Sequence, residues 1–307
     1  MQELDFNAYR SGFVALMGRP NVGKSSIINA LIREKVAAVS PKPQTTRNAV
    51  RCIYSTQEEQ IVFVDTPGIH DPKHALGEFM VKEALDVLSQ VDAVCFVIEA
   101  GDRTIGEKER IILTVLKQVQ VPIILAVNKI DKFKAEDYYK NAAALYEPEL
   151  KIADVVPISA EKGTNLDRLA KTIAGHLPEQ PPIYPDDMLM DTTERFLAAE
   201  VIREKIFLNT EEEVPHGVAV VIEEFKSPDE YPEMKVCEIR ADIIVERPGQ
   251  KGIIIGKNGA KLKEIGSAAR KELEEKFGYP IYLQLWVKVK PGWRKNPDEL
   301  RRLGYRF

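Results

Sequence analysis

Two kinds of apolar pattern alternate along the first half of the chain. Short apolar runs occupy residues 13–17, 61–64, 121–127 and 155–158. Runs of this kind are typical of strands that are buried on both faces of a parallel sheet. Residues 25–31, shortly after the first run, instead have apolar positions at helical spacing. The pattern predicts an α/β fold with a mostly parallel sheet.

The second half of the chain predicts a different order of elements. Helical spacing and strand-like alternation follow one another over residues 193–209 (helix), 217–225 and 236–245 (strands), 260–277 (helix) and 281–289 (strand). A further short helical segment precedes the second long helix. The order α-β-β-α-α-β predicts a smaller α+β domain.

A proline-rich segment separates the two halves. Residues 177–185 contain four prolines, which disfavour both a helix and a central strand. We therefore predict a first domain over residues 1–178, a stiff linker over 179–191 and a second domain over 192–307.

Length and composition agree with two soluble domains. A chain of 307 residues with a hydrophobic fraction of 44% can fill two cores. Its three cysteines, Cys52, Cys95 and Cys237, are widely spaced and imply neither a disulfide framework nor a zinc site. The chain shows no signal pattern, and no apolar run approaches the roughly 18 residues that a membrane span needs. We expect a soluble protein in a reducing cytosol.

Charge is distributed unevenly along the chain. Residues 235–307 contain 17 Lys and Arg against 9 Asp and Glu, whereas the whole chain has a formal net charge of −4. Charge runs are more often solvated surfaces than binding sites. This basic end also contains the Gly-Lys-Asn-Gly motif described below, and the two together favour a polyanionic partner such as RNA.

Residues 18–25 read Gly-Arg-Pro-Asn-Val-Gly-Lys-Ser, which is a complete phosphate-binding loop. Gly18 and Gly23 let backbone N–H groups approach a polyphosphate, and a strand before the loop and a helix after it supply the required context. Lys24 is expected to reach the β- and γ-phosphates, and the Ser25 hydroxyl to bind Mg²⁺.

The motif Asn-Lys-Ile-Asp at residues 128–131 indicates that the base is guanine. The carboxylate of Asp131 can accept from guanine N1–H and its exocyclic amine, whereas adenine presents an acceptor at N1. Asn128 is expected at the N7 and O6 edge, and the Lys129 stem along the ring face. Residues 159–163, Ser-Ala-Glu-Lys-Gly, follow another strand, and their backbone N–H groups could contact the guanine carbonyl.

Two segments between these motifs have the features of nucleotide switches. Asp65 ends an apolar strand and is expected to hold Mg²⁺, and the N–H of Gly68 to approach a γ-phosphate. A hydroxyl from the polar segment 43–47 would complete the metal shell; we choose Thr46, with Thr45 as the alternative.

Ile69 occupies the position at which many GTPases carry a water-orienting glutamine. A hydrocarbon side chain cannot orient water, so we expect slow unaided hydrolysis. Backbone groups, an ion, a rearranged switch or a bound partner would then position the water. The amide oxygen of Asn21 suggests one such ion, potassium, beside the β/γ bridging oxygen.

Residues 256–259, Gly-Lys-Asn-Gly, have the form of a GXXG clamp between two helical segments. Glycines let a nucleic-acid backbone pass close to the peptide groups, and Lys257 adds charge. We expect residues 253–255, three isoleucines, to line an apolar floor under unstacked bases. The RNA-binding set predicted here is Lys251, Ile255, Gly256, Lys257, Asn258, Gly259, Lys261 and Lys263. In the basic, aromatic tail, Trp293 could either stack on RNA or fix the terminus to its domain.

Taken with the GXXG unit, these motifs resemble those of the bacterial Era GTPase family over nearly the whole chain. The matching segments are residues 18–26, 44–47, 65–70, 128–131 and 159–163. The resemblance implies a Ras-like P-loop GTPase domain joined to a type II KH domain. It also implies a GTP-hydrolysing switch, with Mg²⁺, that binds the 3′ region of 16S ribosomal RNA during assembly of the 30S ribosomal subunit.

The resemblance and the motifs together define the expected site. Nucleotide binding is assigned to Gly18, Asn21, Val22, Gly23, Lys24, Ser25, Ser26, Asp65, Gly68, Asn128, Lys129, Asp131, Ser159, Ala160 and Glu161. Catalysis is assigned to Lys24, Thr46 and Gly68, and Mg²⁺ to Ser25, Thr46 and Asp65. We expect a cytoplasmic monomer, with peripheral association at the inner membrane surface also implied. The alternatives are a membrane-associated signalling GTPase and a GTP-binding RNA assembly factor with little turnover.

Overall fold

The computed structural model describes residues 9–38, 46–67, 74–133, 137–211 and 214–305. The chain divides into two compact units. The first is built mainly from residues up to Asp191, and the second mainly from Thr192 onwards.

The helices and strands follow the predicted alternation closely. In chain order they are β1 Arg10–Met17, α1 Lys24–Ile32, β2 Val50–Ser55, β3 Glu59–Asp65, α2 Ala75–Leu88, β4 Ala93–Glu99, α3 Glu107–Leu116, β5 Ile123–Asn128, α4 Asp137–Ala144, β6 Ile152–Pro157, α5 Leu166–Ala174, β7 Met190–Asp191, α6 Glu194–Asn209, β8 Ala219–Lys226, β9 Cys237–Val245, α7 Pro248–Ile255, α8 Ala260–Phe277, β10 Ile281–Val289 and α9 Pro297–Arg302.

The first unit contains a seven-stranded sheet in the order β6-β5-β4-β1-β3-β2-β7. Its central pairs are parallel, and β2 pairs antiparallel with β3 and β7. Alternate residues of β1 point to opposite faces, so Val14 joins one core cluster while Ala15 joins the other. Two buried faces explain why these strands are apolar runs.

The second unit has the predicted order α-β-β-α-α-β over α6 to β10. Its three strands are ordered β10-β9-β8, with β9 and β10 parallel and β8 and β9 antiparallel. Helices α6 and α8 contact each other and the sheet, and they enclose a separate core with Ile239, Ile243 and Ile265 fully or almost fully buried. This arrangement confirms the predicted α+β unit.

The proline-rich segment is bonded along the first unit. Gln60 Oε1 accepts from the N–H groups of Ile183 and Tyr184 at 2.7 and 2.9 Å, and Gln180 N donates to Tyr9 O at 3.0 Å. Residues Met190–Asp191 form β7 at the sheet edge. The first compact unit thus extends to Asp191, while a domain boundary at residue 178 stays a prediction.

Within the described residues, no helix combines the length and apolar character required to cross a bilayer. All three cysteines are buried and form no disulfide in this structure.

Candidate functional site: a nucleotide pocket and a GXXG groove

The phosphate-binding loop joins the end of β1 to the first residue of α1, as its motif predicts. Gly23 has φ of +108°, in the region that favours glycine, and a Cβ there would lie 2.3 Å from Nδ2 of Asn128. A Cβ on Gly18 would lie 2.6 Å from the carbonyl oxygen of Val97. Both positions therefore need glycine because neighbouring backbone and side chains leave no space.

The Lys24 side chain is turned into the loop. Its Nζ donates to the carbonyl oxygens of Gly18 and Arg19 at 3.0 and 3.3 Å, and the residue is only 8% exposed. Burial lowers the pKa of the Lys24 ammonium, and the nearby charge of Asp65 opposes that change. The ammonium is thus held where the loop would surround a polyphosphate.

The three side chains predicted to bind Mg²⁺ lie together. Asp65 Oδ2 accepts from Ser25 Oγ at 2.7 Å and from Thr46 Oγ1 at 3.1 Å. Asp65 Oδ1 is buried without a hydrogen-bond partner among the described residues. Burial raises the pKa of the Asp65 carboxyl, and Lys24 and the two hydroxyls oppose the rise. An orphaned carboxylate oxygen beside two hydroxyls fits a hard cation such as Mg²⁺.

Some predicted switch residues cannot be placed. Thr45, Gly68 and Ile69 lie outside the described residues. The contact of Thr46 with Asp65 is consistent with its predicted role, while the alternative Thr45 and the role of Gly68 stay predictions.

Asn128 bonds to protein atoms at both ends of its amide. Nδ2 donates to Val22 O at 2.9 Å, and Oδ1 accepts from the N–H of Ala160 at 3.1 Å. These bonds leave one Nδ2 hydrogen for a base edge, and the contact of Asn128 with the N7 and O6 edge of guanine stays a prediction. The N–H of Ala160, one of the groups of segment 159–163 that could contact the guanine carbonyl, is bonded to Asn128. Asn128 therefore ties the phosphate loop to segment 159–163.

The Asp131 carboxylate is oriented by Ser159. The buried Ser159 Oγ donates to Asp131 Oδ1 at 2.5 Å and accepts from the N–H of Lys162 at 3.1 Å. The turn after β6 thus fixes the group predicted to read guanine. Of two other predicted residues, Glu161 is exposed, and Ser26 lies half-buried in the first turn of α1. Their contacts with the nucleotide stay predictions.

A charged network that the motifs did not indicate connects the loop to the guanine reader. Arg19 pairs with Glu109, Asp102 and Glu99 at 2.7, 2.9 and 3.3 Å. Glu99 also accepts from Lys129 Nζ at 2.5 Å, and that ammonium donates to Asn21 O at 2.9 Å. The acids come from β4, α3 and the segment between them. No short motif could therefore have identified them.

Glu99→Gln is expected to accelerate GDP release about 5-fold, because the charged bond that holds Lys129 against the loop is weakened by about 1 kcal/mol. Stopped-flow release of a fluorescent GDP measures the rate. Glu107→Gln is the matched control, since Glu107 is exposed and lies at the start of α3. Equal release rates for the two variants would show that Glu99 does not position the reader.

The GXXG motif forms the turn between α7 and α8. Gly256 has φ of +70°, and a Cβ there would lie 2.7 Å from Cβ of Lys261. Lys257 and Asn258 at the centre of the turn are exposed, as a clamp for a nucleic-acid backbone requires. Lys261 Nζ instead donates to Asn209 O at 2.8 Å. Its ammonium thus bonds the end of α6 in this structure, and its contact with RNA stays a prediction.

An open groove of about 490 Å³ follows the motif. It lies between α8 and β10, and the residues that line it include Leu262, Lys263, Gly266, Arg270, Leu283 and Leu285. Arg270 and the leucines were not predicted, although 263, 266 and 270 recur at the spacing of one helix face. Lys263, which was predicted to bind RNA, lines this groove.

The three isoleucines at residues 253–255 do not form one apolar floor, whereas the RNA-binding role of Ile255 stays a prediction. These residues are helical, so three consecutive side chains point in directions about 100° apart. Ile254 is fully buried in the core, Ile253 is 50% exposed, and Ile255 packs beside the core. The groove floor consists of leucines from α8 and β10 instead.

Trp293 fixes the end of the chain to the second unit. It is fully buried, its Nε1 donates to Gly217 O at 3.2 Å, and its ring stacks on Tyr305 with centroids 6.2 Å apart. The alternative that Trp293 stacks on RNA is therefore wrong.

Both compact units match known protein families. The family described as "50S ribosome-binding GTPase" matches residues 13–129, and the family described as "KH domain" matches residues 213–294. GTPase Era of Caldanaerobacter subterraneus subsp. tengcongensis is 51% identical over 298 residues, which cover 97% of this chain and 98% of the relative. The chain belongs to the GTPase Era family. GTPase Era of Clostridioides difficile is 48% identical over 297 residues, which cover 97% of this chain and 99% of that relative.

Two solved structures of the family have the same fold over nearly the full length. Era of Aquifex aeolicus bound to GDP and AlF4⁻ superposes with a TM-score of 0.90 at 43% identity, covering 97% of this chain and all of that one. An Era in complex with MgGDPNP and nucleotides 1506–1542 of 16S ribosomal RNA has the same TM-score and coverage at 44% identity. The predicted Ras-like GTPase domain joined to a KH domain is confirmed.

Proposed function

We propose that this GTPase binds the 3′ region of 16S ribosomal RNA through its GXXG groove and acts as a GTP-dependent switch in assembly of the 30S ribosomal subunit. One observation carries the proposal: a guanine-nucleotide pocket and a GXXG groove occur in one chain that is 44% identical over 97% of its length to an Era bound to a GTP analogue and to a 16S RNA segment. The 3′ region of that RNA is the partner that this similarity supports.

The large ribosomal subunit is the competing partner, because one matching family is described as 50S ribosome-binding. That match covers only residues 13–129 and excludes the groove. Full-length similarity to the 16S complex therefore weighs more. Co-sedimentation of the protein with purified 30S and 50S subunits separates the two, and we expect GTP-dependent pelleting with the 30S subunit alone.

Each residue of the nucleotide pocket has a proposed role. Lys24 and the loop N–H groups hold the phosphates, Asp131 and Asn128 select guanine, and Ser25, Thr46 and Asp65 hold Mg²⁺. The ion, when bound, neutralises charge that develops on the transferred phosphoryl group. Gly68 is proposed to approach the γ-phosphate and to release its segment when that phosphate is lost.

We propose that a group other than the Ile69 side chain positions the attacking water. Potassium held beside Asn21 and bound RNA are the two candidates, since each could supply charge or orientation that a hydrocarbon lacks. The experiment measures single-turnover phosphate release in potassium and sodium buffers, with and without RNA. Equal slow release under all four conditions would favour the alternative of an assembly factor with little turnover.

The groove's role is tested by reversing one charge at the tip of its clamp. Lys257→Asp is expected to weaken binding of a 16S 3′-end RNA at least about 10-fold and to reduce the slope of log affinity against log salt by about 1. Fluorescence anisotropy at several salt concentrations measures both. Lys235→Asp makes the same charge change at an exposed position before β9 and serves as the control.

Equal losses of RNA affinity for Lys257→Asp and Lys235→Asp would mean that the basic surface, rather than the clamp, holds RNA.

We also propose a cytoplasmic monomer that can associate with the inner membrane surface. Sedimentation velocity and liposome flotation test those two properties, and the signalling alternative requires flotation that Lys257→Asp leaves unchanged.

A further inference from the structure

The outer face of the second sheet carries two exposed aromatic side chains. Tyr282 and Trp286, both on β10, are 56% and 59% exposed. They are the most exposed large apolar side chains of the described residues. Helices α6 and α8 cover the opposite face, which contributes the core. Exposed aromatics of this size on an open sheet are a binding feature that folding alone does not explain.

The same strand forms one wall of the RNA groove. Leu283 and Leu285 alternate with the two aromatics along β10 and point into the groove. In the described part of the chain, β10 is an edge of the three-stranded sheet. A single strand of RNA leaving the groove across that edge would therefore meet the outer face directly.

The charges on this face limit what can bind there. The strand register places on it three cations, Lys226, Arg240 and Lys288, and three acids, Glu224, Glu238 and Asp242. Lys288 pairs with Asp242, Lys226 pairs with Glu224 at 2.5 Å, and Arg240 lies 4.0 Å from Glu224. The face is thus close to neutral and offers little attraction to anionic lipid or to phosphates. Its aromatic rings can still stack on bases, for which net charge is not needed.

We propose that Trp286 and Tyr282 form a second RNA subsite, which stacks unpaired bases that flank the segment held in the GXXG groove. This inference rests on the proposed RNA-binding function and extends it. Four residues along a strand separate the two rings by about 13 Å, which leaves room for a separate base on each. Stacking tolerates any base, so this subsite adds affinity and length preference but little sequence preference.

Intrinsic fluorescence tests the proposal directly. The chain has two tryptophans, and Trp293 is fully buried whereas Trp286 is 59% exposed. Iodide should therefore quench Trp286 selectively. A ten-nucleotide RNA is expected to quench Trp286 emission and to protect it from iodide, because a base stacks on its ring. A four-nucleotide RNA, which fills the groove alone, should do neither.

A variant series gives the second readout. Trp286→Ala is expected to weaken the ten-nucleotide RNA at least about 5-fold and to leave the four-nucleotide RNA unchanged, while Trp286→Phe restores most of the affinity. Tyr231→Ala removes an aromatic that is 41% exposed before β9 and is the matched control. Equal affinities of Trp286→Ala and Tyr231→Ala for both RNAs would overturn the proposal. A Trp286 signal that responds to neutral lipid vesicles but not to RNA would overturn it too.

The proposed groove function and the second subsite can be refuted separately. If Lys257→Asp abolishes binding and Trp286→Ala changes nothing, the second subsite is wrong and the proposed groove function stands. If neither change affects binding of any RNA, the proposed groove function is wrong, and the second subsite falls with it.

Discussion

Replacement of Asp131 by Asn is expected to weaken GTP binding by about 10² to 10⁴ and to create binding of xanthosine triphosphate. Guanine offers two donors to the carboxylate, and losing two charge-assisted hydrogen bonds costs about 3 to 6 kcal/mol. Xanthine carries a carbonyl where guanine has its amine, so an amide Nδ2 can donate to it. Asn can keep its Oδ1 as acceptor for the Ser159 hydroxyl, which now bonds Asp131 at 2.5 Å.

Competition of GTP and xanthosine triphosphate against a fluorescent GDP measures this exchange of specificity. Asp137→Asn is the control, because this exposed acid opens α4 outside the proposed pocket. If Asp131→Asn still preferred guanine, Asp131 would not be the residue that recognises the guanine base. Loss of binding to both nucleotides with a normal melting temperature would mean that Asp131 positions the turn after β6 rather than reading the base.

Asp65→Asn is expected to reduce GTP hydrolysis on the order of 10²- to 10³-fold while leaving the nucleotide-free protein at least as stable. The loss follows because the only carboxylate among the three proposed Mg²⁺ ligands is neutralised. The stability follows because the native carboxylate is 1% exposed and its Oδ1 has no partner in the described structure. A neutral amide is less costly to bury than such a charge.

A loss of hydrolysis without a loss of stability would identify Asp65 as a metal ligand rather than a structural residue. Phosphate release across a magnesium titration should show a higher magnesium requirement for the variant, and calorimetry without nucleotide should show no decrease in melting temperature. A lower melting temperature together with an unchanged magnesium requirement would mean that Asp65 chiefly stabilises the fold.

Sequence periodicity predicted most of the fold because each element has a clear physical signature. The predicted strand 281–289 coincides with β10, whose residues alternate between a core face and an open face. The helix predicted over 193–209 begins one residue later, because the Thr193 side chain accepts from Phe196 N at 3.2 Å and caps it. Local chemistry thus set these boundaries.

The sequence missed features that depend on tertiary contacts. Ile254 belongs to the core because α7 turns it inwards, and Lys261 bonds Asn209 because α6 ends beside it. Neither fact is visible in the run of apolar or basic residues. The network around Arg19 was missed for the same reason, since its partners are adjacent only after the sheet has formed.

We propose that the nucleotide state of the pocket sets the affinity of the groove for RNA. The most direct measurement is the Kd of a 16S 3′-end RNA for the protein when empty, bound to GDP and bound to a non-hydrolysable GTP analogue. We expect the GTP analogue to tighten binding at least about 5-fold relative to GDP, which corresponds to a coupling free energy of about 1 kcal/mol. Identical Kd values in all three states would show that the two units bind their ligands independently and would contradict the account.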